Sequence, residues 1–502
     1  MTFDPLERHH RTGLLLRALA ELPEAEAIKL LSELTFRLHV DVDASRAPGS
    51  QAAAMTAANI LARLGGTVVV EAPHAPLILA GTPWSHLSLS EACEAVVTWA
   101  GAKVGQGKFD AGIAIGGNPA PQSVAVSGDD WIAAVDVNFD PGHSATPLGS
   151  IAASCFGVAR AFHMALASHL DLAPAPRKSL IFSLLQESVI NDSSSRVKFS
   201  RASTIPSQLG LVGAGAVGQA VVWALSLSGS TGSEPIDIVD PQALDGSNLN
   251  RHLVSGVADV GLPKAVIASS FLSRSNGSRP FVLDFSAYQH NVGTPDILLS
   301  TVDNNDARYQ IQGSFPRQIV HGATERERLS IAVLDAVNTP CLGCLFPRRD
   351  RSPAEDIAHQ TGIPFADIVS ALDNDGVVTA DMVVHLAEQM SVKPSELHHL
   401  IGRNFREAYA TEICGRLGAP LSDSIPAPTA SYVSALAGTL VVAELLKVGN
   451  QELMPYSLDN YLQMAILYPE AAWRVSRTRD QDCPLMCSSE ALQQYLGQRS
   501  FN

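Results

Sequence analysis

The chain is expected to be α/β, and three observations carry that expectation. Strand-like and helix-like apolar runs alternate from about residue 37. The alternation restarts from Gln208, and this second run opens on a glycine-rich turn between a strand and a helix.

Residues 1–36 read as helical, with apolar positions at Leu14, Leu15, Leu16, Leu19 and Leu22. Leu38–Val42 alternates like a strand, Ser50–Leu64 reads as an Ala-rich helix and Gly66–Glu71 as a buried strand, which together sketch a βαβ unit. Ala111–Ile115 and Trp131–Val137 are further strand candidates, and Gly149–Ala165 is a long helix of small residues. Pro and Ser mark a linker, placed at 176–207, with a helical patch expected at Ile181–Val189. Beyond it, Leu209–Val212, Ile236–Val239, Phe281–Leu283 and Ile297–Thr301 read as strands. The run Ile151–Ala161 is similar to Tyr432–Val442, with Gly157 and Gly438 in the same place, which suggests that the halves are duplicates.

Composition narrows the function classes. A chain of 502 residues has room for about three domains, and 46% hydrophobic with 17% charged residues is the balance of a compact globular protein. No run approaches the ~18 uncharged apolar residues of a bilayer span, and the first residues lack an export signal, so a cytoplasmic location and no membrane contact are expected. A net charge of -15 argues against a nucleic-acid partner. Seven cysteines in so long a chain do not form a disulfide framework. Cys155 and Cys93 lie in helical stretches and read as core.

The chemistry begins at Leu209–Gly218, a strand followed by GxGxxG through Gly213, Gly215 and Gly218. The glycines permit a tight turn, close approach to a phosphate and close helix–strand packing. Asp240 ends the next strand, where a carboxylate can accept from a ribose; NAD and ATP both satisfy this much. Asn248, Arg251 and Lys264 follow, and a dehydrogenase has no need of them, whereas phosphoanhydride chemistry does. Asp303 ends a later buried strand, followed by Asn304, and a carboxylate there suits magnesium. Asp306 and Arg308 read as supporting residues or a helix-start pair.

The ordered set resembles the ubiquitin-activating enzyme superfamily, of the ThiF and MoeB type, which includes bacterial enzymes that adenylate sulfur-carrier proteins. The shared elements are GxGxxG, the strand-end Asp240, Ser247-Asn248-Leu249-Asn250-Arg251, Gly261-Leu262-Pro263-Lys264, Asp303-Asn304 and Cys341-Leu342-Gly343-Cys344-Leu345-Phe346-Pro347. The resemblance is strong over 205–347 and partial over 425–490. It implies a Rossmann-like adenylation domain that uses ATP and Mg2+. Asp240 would hold the ribose, Asn248, Arg251 and Lys264 the phosphates, and Asp303 the magnesium, with Asn304 beside it. The family often carries a second acid where this chain has Gln242. Five segments follow: an inactive adenylation-like α/β half at 1–175, the linker, the ATP-binding domain at 208–347, a helical insertion at 348–425, and the rest of the adenylation domain at 426–502.

Cys341 and Cys344 form a CxxC, and Cys483 and Cys487 a CxxxC; two such pairs brought together make a closed four-thiolate zinc site. A redox CxxC is the competing reading. Cys414 falls in the insertion, where ubiquitin-activating enzymes place their catalytic cysteine, with Arg403, Arg406 and Arg416 nearby to lower its pKa. The partners implied are a ubiquitin-like protein and a ubiquitin-conjugating enzyme, in a bacterial system serving antiviral defence. The resemblance also implies a pseudodimer within the chain, or a homodimer, with Arg8 or Arg11 reaching ATP. A sulfur-carrier adenylyltransferase without Cys414 chemistry, and a non-catalytic or NAD-binding Rossmann protein, are the alternatives.

Overall fold

The computed structural model describes residues 9–492 apart from 21, 138–145, 171, 173–176, 192–203, 230, 233, 274–276, 337, 347–351, 374–375, 391, 410–412, 414–428, 451–459, 481–482, 484, 486, 488 and 490–491. It divides into two compact units. Residues 1–13, 28–347 and 429–502 form the larger, and 14–27 with 348–428 the smaller. Two helices near the N-terminus, α1 (His10–Ala20) and α2 (Glu24–Glu33), each contribute to both.

The larger unit holds two eight-stranded sheets. The first is built from β1 (Thr35–Val40), β2 (Thr67–Glu71), β3 (Lys103–Gly105), β4 (Ala111–Ile115), β5 (Ser123–Gly128), β6 (Ile132–Val135), β7 (Leu180–Ser183) and β8 (Ser188–Val189). Their spatial order is β3-β2-β1-β4-β5-β6-β7-β8, parallel as far as β5 and antiparallel after it. A short parallel ribbon pairs β9 (Thr204–Ile205) with β11 (Thr231–Gly232). The second sheet comprises β10 (Leu209–Val212), β12 (Ile236–Val239), β13 (Ser278–Phe281), β14 (Ile297–Ser300), β15 (Gln318–Glu325), β16 (Arg328–Asp335), β17 (Tyr461–Ala465) and β18 (Trp473–Val475). Its order is β13-β12-β10-β14-β15-β16-β17-β18, again parallel through the fifth strand and antiparallel after it. Counted from its own first strand, each sheet has the same order and the same change of direction. β4, β10, β12 and β14 are buried along their whole length, the pattern of parallel strands covered on both faces.

The helices repeat as well. α3 (Pro48–Leu64) follows β1 as α6 (Ala216–Ser228) follows β10, with α4 (Leu89–Trp99) and α5 (Leu148–His169) between them in the chain. Further along the second half come α7 (Lys264–Leu272), α8 (Phe285–Val292), α9 (Asn305–Gly313) and the single turn α10 (Leu342–Leu345). The smaller unit adds α11 (Pro353–Thr361), α12 (Phe365–Asp373), α13 (Ala380–Met390) and α14 (Phe405–Ala408), and the larger closes with α15 (Ser431–Val448). α5 sits between β6 and β7 as α15 sits between β16 and β17, so the runs that matched in sequence occupy equivalent places. α3, α5, α6 and α15 pack on one another through small residues. A Cβ on Gly438 would lie 2.5 Å from the Cβ of Ala220, so glycine there sets how closely α15 crosses α6.

One side chain marks the repeat plainly. The fourth residue of α3 is Gln51 and the fourth of α6 is Gln219. Gln51 Oε1 accepts from the backbone N–H of Ile78 at 2.8 Å, and Gln219 Oε1 from that of Val254 at 3.2 Å, each on the loop that follows the half's second strand.

Some expectations are corrected. Ile181–Val189 forms the β7–β8 hairpin rather than a helix: its apolar run is short, and the turn passes through Glu187 in the left-handed region at φ 49°. The first sheet therefore runs through Val189, into the stretch read as linker. β5 and β15–β18 were not anticipated. α5 and α15 are each long and apolar enough to cross a membrane, but in the fold they are 83% and 94% buried in protein, as core helices are.

The smaller unit is helical, as expected of the insertion, and has its own core of Ile357, Ile368, Leu386, Leu397, Phe405 and Tyr409. Ser352 caps α11 by accepting from the N–H of Glu355 at 3.2 Å. Cys414 and Arg416 lie outside the described residues. Arg406 donates to the carbonyl of Leu372, through Nε at 3.1 Å and Nη2 at 2.5 Å.

Candidate active site

The site sits at the C-terminal ends of β10, β12 and β14, at the point where the strand order reverses. Each glycine of the turn has a separate reason. Gly213 has φ 94°, and a Cβ on it would lie 3.0 Å from the Thr301 backbone. Gly218 packs so closely that a Cβ would come within 1.9 Å of the Gly213 carbonyl oxygen. Gly215 caps α6 at its N-terminus and faces open space, with nothing within 4 Å of its Cβ position. An anion approaching there meets a helix N-terminus unobstructed. Thr301 Oγ1 donates to the carbonyls of Val212 at 3.2 Å and Gly213 at 2.6 Å, tying the turn to the end of β14.

Asp240 is buried beside this turn. Its carboxylate accepts from the N–H of Ala214 at 2.7 Å and of Gln242 at 2.8 Å, and each oxygen retains capacity for another donor. Burial raises its pKa against these two bonds and Lys264. Lys264 begins α7; burial lowers its pKa, opposed by Asp240 and Asp303. Its ammonium donates to Gln242 Oε1 at 2.7 Å. Gln242 thus holds the cation without neutralising it, as an acid in that place would.

The segment after Asp240 folds as a capped 3-10 turn, Gly246–Asn248, in which Asp245 accepts from the N–H of Ser247 and Asn248 Oδ1 from that of Asp245. Arg251 donates to Asn250 Oδ1 at 2.9 Å and to the Ser247 carbonyl at 3.3 Å. Burial, with Arg11 close by, lowers its pKa to about 10, while Asp303 and Asp245 act in the other direction. Thr12 accepts from Asn250 Nδ2 at 2.9 Å, which brings the start of α1 to this corner. Arg8 lies outside the described residues. Burial, then Arg251 and Lys264, hold His252 neutral. Asp303 is exposed beyond β14 and acts electrostatically on Asp240, Arg251 and Lys264, so all four share one corner. Asn304 caps α9, accepting from the N–H of Ala307 at 2.8 Å. Within α9, Arg308 donates to Asn305 at 2.7 Å and to the Val302 carbonyl, and stacks 4.2 Å over Phe346.

The four distant cysteines converge. Cys341 Sγ is 3.7 Å from that of Cys344 and 3.4 Å from that of Cys483, and Cys344 is 3.3 Å from Cys487. All four ligand atoms lie within 4.8 Å of one another. Tetrahedral zinc with sulfurs at ~2.3 Å requires S–S separations of roughly 3.8 Å, so the cluster fits that ion and leaves no open position. It also grips α9: Leu342 N–H donates to Gln312 Oε1 at 2.9 Å, and Tyr309 Oη to the Phe346 carbonyl at 2.8 Å.

The first half presents a different corner. After β1 comes Asp41, whose carboxylate accepts from the N–H of Asp43, and then the 3-10 turn Ala44–Arg46. After β4, where the second half has Asp303, stand Gly116 and Gly117; a Cβ on Gly116 would lie 3.0 Å from the Cβ of Asp41. The Asp41 carboxylate and close packing stand where the second half has its glycine turn. Cys155 and Cys93 are fully buried, and burial pushes both thiols up, Cys93 to about 12. Sequence reasoning missed Thr301, Gln219, Asn59 and Arg63, whose partners come from distant segments and leave no local spacing to read.

A glycine turn at the strand ends of a doubly wound sheet, with Asp240, Lys264, Arg251 and Asp303 acting on one another beside it, defines a Rossmann-like domain. Residues 203–485, more than half the chain, match the ThiF family, and the chain belongs to it, within the ubiquitin-activating superfamily of adenylyltransferases. Residues 35–184 match the BilD N-terminal domain. Among similar proteins, the uncharacterized protein y4jF of Sinorhizobium fredii is 31% identical over 343 residues, 64% of this chain and 64% of that protein. The NEDD8-activating enzyme E1 catalytic subunit of Caenorhabditis elegans is 24% identical over 326 residues, 56% of this chain and 70% of that protein. A crystal structure of Escherichia coli MccB with succinimide aligns over 56% of this chain and 66% of MccB, at 13% identity and a TM-score of 0.35. The chain thus spans just under two thirds of the first relative's length.

Proposed function

We propose that this protein activates the C-terminus of a ubiquitin-like protein with ATP and then carries it as a thioester on Cys414. The observation that supports adenylation most directly is the open ground at Gly215, faced by a helix N-terminus and ringed by Arg251, Lys264 and Asp303. A terminal carboxylate attacks the α-phosphate of ATP, giving an acyl-adenylate and pyrophosphate. Arg251 and Lys264 stabilise charge on the departing phosphates, while Asp240 orients the ribose. Asp303 is the magnesium ligand in this reading, and the ion, when bound, neutralises charge across the phosphates. Arg11, close enough to act on Arg251 and Asp245, adds positive charge from the same chain.

The Cys414 thiolate then attacks the acyl carbonyl, AMP leaves, and the acyl group passes to a conjugating enzyme. The match to the NEDD8-activating subunit supports a protein carboxylate as substrate. The four cysteines hold a structural zinc. Such chemistry belongs in the cytoplasm, in a bacterial conjugation pathway of antiphage defence.

The test combines ATP–pyrophosphate exchange with intact mass measurement, using a ubiquitin-like protein encoded beside this one. The wild type is expected to show exchange and a thiol-labile adduct. Cys414→Ala should keep exchange and lose the adduct, and Asp303→Ala should lose both. Exchange without any adduct would instead assign a sulfur-carrier adenylyltransferase; an adduct that survives Cys414→Ala would remove that residue from the mechanism.

A further inference from the structure

Arg251 and His252 are carried by residues 249–255, a run of turns outside the regular helices and strands. What fixes the course of this run comes largely from the first half of the chain. On α3, Arg63 donates through Nη1 to the Leu249 carbonyl at 2.5 Å and through Nη2 to the Ser255 carbonyl at 3.0 Å. Asn59, one turn earlier, donates through Nδ2 to the Leu253 carbonyl at 2.9 Å, and its Oδ1 accepts from Arg63 Nε at 2.8 Å. Both side chains are fully buried. Trp99 of α4 closes the far side: the Arg63 guanidinium lies 5.6 Å from its ring, and a Cβ on Gly256 would meet its Nε1 at 2.1 Å.

Burying a guanidinium is costly unless its donors are met, so this arrangement persists only where the carbonyls are held in place to meet them. The arrangement also runs one way. With Pro48 and Ala216 as the first residues of their helices, the equivalent of Asn59 on α6 is Leu227, and α6 ends at Ser228, short of the position equivalent to Arg63. The two halves share a strand order and a bracing glutamine, yet the polar pair exists only on the helix that faces the nucleotide half's loop.

We propose that Asn59 and Arg63 are positioning residues for the nucleotide site, setting from the first half the path of the segment that carries Arg251. The inference deepens the adenylation reading and rests on it.

The test uses the full chain and a fluorescent ATP analogue, with exchange as a second readout. Arg63→Lys keeps the charge but cannot span two carbonyls, and Asn59→Leu, which removes the donor to Leu253 and the acceptor for Arg63 Nε, serves if the first variant fails to fold. Either is expected to weaken analogue binding by about 10- to 100-fold, the size of effect that a displaced site group produces. The deciding measurement is the double variant with Arg251→Ala. A residue acting through Arg251 adds no further loss to that of Arg251→Ala alone, whereas general destabilisation multiplies the two. Analogue binding equal to wild type in a folded Arg63→Lys or Asn59→Leu, or losses that multiply, would overturn the proposal. A wild type that binds no ATP would overturn the adenylation reading, and this inference with it.

Discussion

Gly215 and Gly218 lie three residues apart in the same turn, and replacing each by alanine should have opposite signatures. A Cβ on Gly218 would stand 1.9 Å from the Gly213 carbonyl oxygen, against an ordinary contact distance of about 3.5 Å. The turn or α6 must retreat by about 1.5 Å, an overpacking cost of roughly 1–3 kcal/mol that outweighs the ~0.5–1 kcal/mol helix preference of alanine. At Gly215 the new methyl enters open space, and φ -76°, ψ -159° is extended backbone that alanine adopts. Losing glycine at a helix cap costs up to ~1 kcal/mol and the stiffer unfolded chain returns ~0.4–1, so stability should change by less than about 0.5 kcal/mol. The methyl does, however, stand where a phosphate oxygen would approach the backbone. ATP affinity should fall about 10- to 100-fold, or roughly 1.4–2.8 kcal/mol. Thermal melting with and without ATP separates the two: Gly218→Ala melts several degrees low throughout, while Gly215→Ala melts like wild type and gains less from ATP. An unchanged ATP-induced shift in Gly215→Ala would refute the assignment of that open space to phosphate.

Two further outcomes follow from the same geometry. Purified protein should release one zinc per chain when its thiols are titrated, and exchange activity should fall with the metal, because the Cys341–Phe346 segment holds α9 through Gln312, Tyr309 and Arg308; activity unchanged after complete removal would detach the cluster from Asp303. Glu187 sits buried beside Glu444, Lys447 and Arg474, and burial with Glu444 raises its pKa well above the ordinary 4.5. A carboxyl raised on folding stabilises fully below 4.5 and loses that contribution as the pH climbs through its folded value, so Glu187→Gln should flatten the decline in melting temperature above pH 4.5; an unaltered slope would assign the decline elsewhere.

The second half and the place of its candidate site were legible because the signals are local. Gly213 through Gly218, Asp240, Arg251 and Asp303 follow strand ends closely in sequence, and strand ends are where such sheets bind ligands. The matching helices at 151–161 and 432–442 were readable as well, since both need small residues to pack against neighbours. What could not be read depends on tertiary partners. Asn59 and Arg63 look like ordinary polar positions on an Ala-rich helix, and only the fold brings Leu249 and Ser255 to them. The β7–β8 hairpin was mistaken for helix because Ile181, Leu184 and Leu185 also satisfy helical spacing, and a positive φ at Glu187 has no signature in that side chain. That Asn304 caps α9 through its side-chain oxygen was likewise not read from the sequence.

The repeated strand order has a consequence for how this sequence can change. Two identical subunits must fit every residue to both of its surroundings, since one gene writes both copies. Here the two halves share a strand order but are written separately in one chain, so each carries its own residues. Asp41 follows β1 where the second half has its glycine turn. α3 can carry asparagine and arginine where α6 carries leucine and then stops. A side chain of the first half can thus be fitted to a loop of the second without having to serve the same place in its own half.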